Sequence, residues 1–354
     1  MVLTGQNPYD PVQWNNAHVQ LGTTWIPDKI FLYPLPQAFF LVPLALLPAQ
    51  TSFLFWGIIS QTVLAVTIFA LLNQPGWMRQ KRLFIPLVIS FLFFGPMYLS
   101  LQIGSIGAIA MAALLLAIIL LGKNKSLPAG LALSVLALKP PQGFPILFLA
   151  GIWFLFRRDW KAIAGMTVGG LILLVSGLLY DPLWIQKFLG NSQSVFDRTL
   201  GVQSNLWSIS YLACNQNGTC TAILGGILFI GLLAAGGWIV WRFRTQLTPW
   251  EAFNIIIPIA FVCAVYLFAY DQILFIFPIV WITAKLVERT KSYIPPLLFM
   301  IVLDVLSLAL LVVQANTKSD AWNISITIIV LGFYLWLLAK DKKPPSIDKP
   351  LSSA

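Results

Sequence analysis

"ALKPPQGFPILFLAGIWFLFRRDWK", residues 137–161, poses a choice that settles the path of the whole chain. Pro140 and Pro141 end a helix arriving from Leu127 and disfavour helical geometry at the residue before them. A kinked helix over 127–157 would put the basic RRDWK cluster on the opposite side from the other basic clusters. A hairpin keeps it with them and leaves Lys139 at the tip. Leu127–Leu138 has twelve residues, about 18 Å at about 1.5 Å per residue, too short to cross hydrocarbon about 30 Å thick. The hairpin is the better reading. Non-helical backbone at that depth must line a cavity or be covered by protein.

Composition agrees that a membrane is the solvent. The 354 residues are 58% hydrophobic and 10% charged, with mean hydropathy +0.84, where soluble chains carry about 25% charged residues. Apolar stretches fall at 51–72, 83–100, 104–121, 127–138, 142–157, 162–180, 219–241, 249–269, 271–287, 293–314 and 321–340. The expected fold is therefore all-α: one polytopic membrane domain over residues 1–354, with about 11 membrane helices, some short or broken. The net charge of +10 is distributed as small basic clusters between apolar runs. That is the pattern of loop anchoring by the positive-inside rule, and no nucleic-acid partner is expected.

Alternate gaps divide the basic residues unevenly. Seventeen of the 22 lie at Arg79–Arg82, Lys123–Lys125, Arg157–Lys161, Arg242–Arg244, Lys285–Lys291 and Lys340–Lys349; the rest are Lys29, Lys139, Lys187, Arg198 and Lys318. This assigns the first group and the tail 341–354 to the cytoplasm. Residues 1–34 and the 181–218 loop then lie outside, with Asp10, Asp28, Asp181, Asp197, Asp271 and Asp320. An outside segment of 34 residues ordinarily follows a crossing helix, so a first helix is expected to be absent from this chain.

Soluble-enzyme motifs are missing: no P-loop, no G-x-G-x-x-G after a strand, no H-E-x-x-H. His18 is the single histidine, and no outside D-x-D pair exists, so neither metal site nor cofactor is expected. The candidate chemistry is in the outside carboxylates, Asp10 in "NPYDP" and Asp271 in "FAYDQILFIFP", with Tyr9, Tyr270 and Gln272 beside them. They read either as acids serving an acceptor hydroxyl or as caps and loop hydrogen-bond acceptors. Lys139 and Arg198 supply cations for a phosphate, and Gln102 marks a second broken helix on the same face. Cys214 and Cys220 bracket "CNQNGTC" in a compartment that permits a disulfide, and free thiols are the alternative. Asp304 falls inside a span, which opens a rival reading as a lipid or solute transporter.

Taken in order, "GQNPYDP", "FLYPLPQAFFLVPLALLP", "LSLQIG", "LKPPQGFPILFLAGIWFLFRRDW" and "FAYDQILFIFP" resemble glycosyltransferase family 87. These are GT-C membrane enzymes that use polyprenyl-phosphate mannose, and related bacterial proteins. The resemblance spans about Gly5 to Arg289. It implies a multi-pass protein of the bacterial plasma (inner) membrane with an extracytoplasmic site. A mannose-like hexose would pass, with inversion, from a polyprenyl-phosphate donor to a hydroxyl of a lipid or glycan acceptor. Lys139 matches the family's lysine-proline, Gln102 its glutamine turn and Asp271 its late aromatic-acid turn. The family's base is an aspartate after a first helix, ahead of the "PYDP"-like stretch. This chain starts beyond that point, so a non-catalytic relative of the enzyme is a further alternative.

Overall fold

A backbone amide left unpaired in hydrocarbon is costly, so a chain this apolar has to satisfy its amides within helices. The computed structural model describes residues 1, 5–20, 31–73 and 82–341. Among them there are helices and short 3-10 turns and no strand. The first half runs α1 (Pro11–Gln20), α2 (Leu35–Ala45), α3 (Ala49–Leu72), α4 (Phe84–Phe93), α5 (Gly95–Gln102) and α6 (Gly107–Gly122). A hairpin follows: α7 (Ser126–Ser134), a 3-10 turn at Val135–Leu138, and α8 (Pro140–Phe156). Next come α9 (Trp160–Tyr180), α10 (Trp184–Thr199), α11 (Leu206–Ala213) and α12 (Gly218–Arg242). The last part holds α13 (Pro249–Cys263), a 3-10 turn at Ala269–Phe275, α14 (Ile276–Thr290) and α15 (Ile294–Thr317). A 3-10 turn at Ala321–Asn323 leads into α16 (Ile324–Asp341).

Among the described residues six stretches are long and apolar enough to span: α3, α9, α12, Ala269–Thr290, α15 and Ala321–Lys340. α4 and α5 make a seventh if taken together, bent by 59°. α6, α7 with its 3-10 turn, α8 and α13 are shorter apolar helices. Each of the eleven expected stretches thus has a helix or bent pair. α2 was not among the expected stretches. Pro36 lies in its first turn, where helix amides have no intrahelical partner anyway. The stretch 249–269 is also shorter than expected: α13 stops at Cys263, and Ala264 leaves the helix with ψ 134°.

Burial sorts the helices into centre and periphery. Every residue of α13 from Glu251 to Cys263 is buried, and 83% of the apolar window of Ala269–Thr290 is buried against 17% for α12. A helix that stays apolar on its outer face where protein does not cover it is suited to lipid. α7 and α9 approach closely because small residues face one another: a methyl added at Gly130 or Gly165 would overlap the opposite backbone.

The hairpin reading of 127–157 is what the structure shows. At the basic end, Asp159 accepts from Ser126 Oγ at 2.7 Å, and Arg157 Nη1 donates to the Leu247 carbonyl at 3.2 Å. At the opposite end Lys139 meets the turn at Ala269–Phe275. The 181–218 stretch is largely helical, as α10 and α11. α10 turns Trp184, Phe188 and Val195 inward, and Trp184 and Phe188 form a small second core with Tyr9, Phe31 and Leu35. Lys29, Asp28, Arg79, Lys81 and the tail from Lys342 onward lie outside the described residues.

Candidate active site

Two prolines and a glycine build the tip of the hairpin. Pro140 and Pro141 occupy the first turn of α8, and Lys139 before them adopts φ −124°, ψ 74°, outside the helical region. The Lys139 amide donates to the Leu136 carbonyl at 3.1 Å and Gly143 donates to the Lys139 carbonyl at 2.9 Å. This closed turn aims the side chain across the bundle end.

Lys139 Nζ donates to Asp271 Oδ1 and to Ser105 Oγ at 3.1 Å, and lies 4.7 Å from the centre of the Tyr270 ring. The Lys139 side chain is 11% exposed and that of Asp271 2%. Asp271 Oδ2 accepts from the Phe268 amide at 3.0 Å. A charge that far from water needs such a partner, and here each oxygen has one. Phe268 stacks on Tyr270, and Tyr266 meets Phe268 edge-on with centroids 5.1 Å apart. Tyr266, Phe268 and Tyr270 alternate with buried Leu267 and Ala269. They therefore form an aromatic ladder leading away from the ion pair.

The ladder ends at a cavity of about 620 Å³, lined almost wholly by apolar side chains, among them Pro140, Pro141, Phe144, Phe148, Phe188 and Tyr266. Phe144 and Phe148 are each more than half exposed, so the cavity opens on the outer surface of the bundle. Lys139 directly precedes Pro140, one of the cavity's lining residues.

The turn carrying Asp271 is gripped from two sides. Residues Gln203, Ser204 and Asn205, all fully buried, bind the extended segment before it. Ser204 N donates to Leu267 O at 2.9 Å, Gln203 Oε1 accepts from Leu267 N at 3.2 Å, and Asn205 Nδ2 donates to Val265 O at 3.2 Å. From the other side Asp320 Oδ2 accepts from the Ala269 amide at 2.8 Å. Burial pushes the Asp320 carboxyl up to about 6, opposed by the Ala269 hydrogen bond and reinforced by the Asp271 charge. Sequence reasoning counted Asp320 among the outside acids without a role and passed over Gln203–Asn205, Ser105 and Tyr266. The only visible signal was a run of buried-capable amides, "VQSN", inside an apolar stretch.

The other candidates are placed apart from this pair. Asp10 is the N-terminal cap of α1: Oδ1 accepts from the Val12 amide at 2.8 Å and the Gln13 amide at 3.0 Å. Tyr9 is buried in the second core, and its hydroxyl donates to the Tyr33 carbonyl at 2.8 Å. Burial pushes that hydroxyl well above its usual range. Gln102 is exposed at the end of α5. Arg198 is exposed on α10, where its Nε donates to the Ser194 carbonyl at 3.1 Å. Gln272 points inward and donates to the Asn323 carbonyl at 2.9 Å, which ties the turn to the 3-10 turn that leads into α16. Cys214 and Cys220 are joined by a disulfide between α11 and α12. Cys263 is buried.

The structure is that of a many-helix membrane protein with a buried charge pair whose lysine directly precedes two prolines lining an apolar cavity. Comparison with known families matches glycosyltransferase family 87 over residues 31–269, more than half of the chain. The chain belongs to that family. No curated protein and no solved structure matches it.

Proposed function

We propose that this chain is a hexosyltransferase of GT-C type that moves a mannose-like sugar from a polyprenyl-phosphate donor to an extracytoplasmic lipid or glycan hydroxyl. The observation that carries the reading is the position of Lys139, a cation paired with a buried carboxylate and adjacent in the chain to Pro140 and Pro141 of an apolar cavity. A prenyl chain needs an apolar, lipid-open cavity, and its phosphate needs a cation at the interface; both are adjacent here. Arrival of the phosphate gives Lys139 a second anion to bind. That loosens its hold on Asp271 and leaves a carboxylate able to take the acceptor proton, a role worth about 10²–10⁴-fold in rate. Asp10, committed to capping α1, shapes the outer segment beside the site. Arg198 and Gln102, both exposed, serve substrate approach. Tyr9 braces the outer segment through Tyr33, Gln272 braces the Asp271 turn through Asn323, and the Tyr270 ring lies against Lys139.

The direct test is incubation of the purified protein with a polyprenyl-phosphate hexose. Consumption of donor with release of polyprenyl phosphate and glycosylation of an added acceptor is the expected result. Movement of intact lipid across vesicles with no donor consumed would support transport instead. Asp304, the residue that suggested transport, forms no ion pair among the described residues, and Ser90 shares a hydrogen bond with it. One of its carboxylate oxygens has no hydrogen-bond partner, and no second charged group completes a relay with it among the described residues.

The orientation in the bacterial plasma (inner) membrane, with the N-terminal segment outside and the C-terminus in the cytoplasm, has its own measurement. An oxidising compartment keeps Cys214 and Cys220 paired. Mass spectrometry of protein made with normal export is expected to find both cysteines oxidised together. Two free thiols, with reductant excluded, would reverse the assignment.

A further inference from the structure

Asp320 is 4% exposed and does no work in the transfer chemistry above. It nevertheless sits where three segments meet. Its amide donates to the Val202 carbonyl at 2.7 Å, its carbonyl accepts from Asn323 at 2.8 Å, and its carboxylate holds the Ala269 amide two residues before Asp271. We propose that Asp320 is a positioning residue of the site, setting the turn that presents Asp271 to Lys139 and adding a second, titratable carboxylate to the charge balance of that pair.

The groups facing it can be named. Asp271 and Tyr270 on the 3-10 turn lie within its electrostatic reach, and Lys139 is the ion-pair partner of Asp271. The 202–205 segment presents a carbonyl and neutral amides, and Lys318 nearby is exposed. One buried cation therefore answers for two carboxylates. The raised value of Asp320 means that the folded protein holds a proton there which the unfolded chain releases near pH 3.8. Its contribution to stability thus declines as pH rises from about 4 toward 6, and the penalty is complete above that. The same ionisation places a second negative charge near Asp271, the partner of the cation that a phosphate would use. Binding of an anionic donor should weaken over the same interval.

The variants separate geometry from charge. Asp320→Asn keeps an oxygen for the Ala269 amide and loses the titration; Asp320→Ala loses both. Thermal midpoints of the whole protein in detergent, from pH 4.5 to 7.5, need no donor. The wild type should lose stability through this interval, and Asp320→Asn should show a flatter profile. Asp271→Asn should move the wild-type step to lower pH by removing the like charge. With a polyprenyl-phosphate hexose, whose phosphodiester keeps one charge throughout, wild-type affinity should fall as pH rises and Asp320→Asn affinity should not. Asp320→Ala should lose about tenfold in transfer, the effect of one buried hydrogen bond, and Asn should restore most of it. This rests on the proposed transfer for its donor arm alone: a wild type that ignores the donor would sink that reading, while the melting profiles still decide the role of Asp320. Parallel wild-type and Asp320→Asn profiles would overturn the proposal, as would an Asp320→Ala protein that transfers normally.

Discussion

Changing Lys139 to Met and Asp271 to Asn together should leave a folded protein that transfers no sugar, whereas Lys139→Met alone should be badly destabilised. In sequence, Lys139→Met reads as a fold-sparing loss of charge. The pairing with a carboxylate 2% exposed reverses that. Removing the cation alone strands Asp271, and breaking one partner of a buried pair costs about 3–5 kcal/mol, while replacing both is close to neutral. Asp271→Asn alone should be milder, because Lys139 keeps Ser105 and the Tyr270 ring. Transfer should fall by at least about 10² in the double variant, since it lacks both phosphate cation and base. The measurements are thermal midpoint in detergent and donor consumption for all four proteins. A Lys139→Met protein as stable as the wild type would mean that the pair is not formed. A double variant with normal transfer would remove the site altogether.

The path of the chain was legible because two physical signals agreed at residues 127–161. Charge alternation demanded a reversal there, and Pro140–Pro141 supplied one, which is the hairpin observed. α2 was illegible for the converse reason: it carries Pro36 in its first turn and Pro43 inside it, so nothing local marked the segment as a helix. The two central residues of the site were both singled out in advance, but as partners of a substrate and not of each other. Their meeting across 132 positions is a tertiary fact. Asp10 before Pro11 carried a cap signature, and the cap is what forms. Gln272 shows the limit of adjacency: in a 3-10 turn the residue after Asp271 is swung to the buried side, toward Asn323. Gln203, Ser204 and Asn205 escaped notice because nothing local marks a polar triplet as the partner of a backbone segment about 60 residues away.

Gly143→Ala should abolish transfer almost as completely as loss of the ion pair, although its methyl touches neither charge. That methyl would overlap the carbonyl of Leu136, the same oxygen that receives the Lys139 amide. The obstacle is backbone on both sides, so a rotamer change cannot relieve it. The turn must open, and Lys139 must move with it. Overpacking of this kind costs about 1–3 kcal/mol, and a displacement of about 1 Å at a reacting group costs about 10²-fold in rate. Gly57→Ala in α3 is the matched control: nothing lies within 4 Å of the added methyl. A helical Gly is worse than Ala by about 0.5–1 kcal/mol, so that variant should be as active as the wild type and no less stable. Thermal midpoints and donor consumption compared across the three proteins decide the matter. A Gly143→Ala enzyme that keeps its rate would show that the hairpin tip does not set the position of Lys139, and the cation of the site would have to be sought elsewhere on that face.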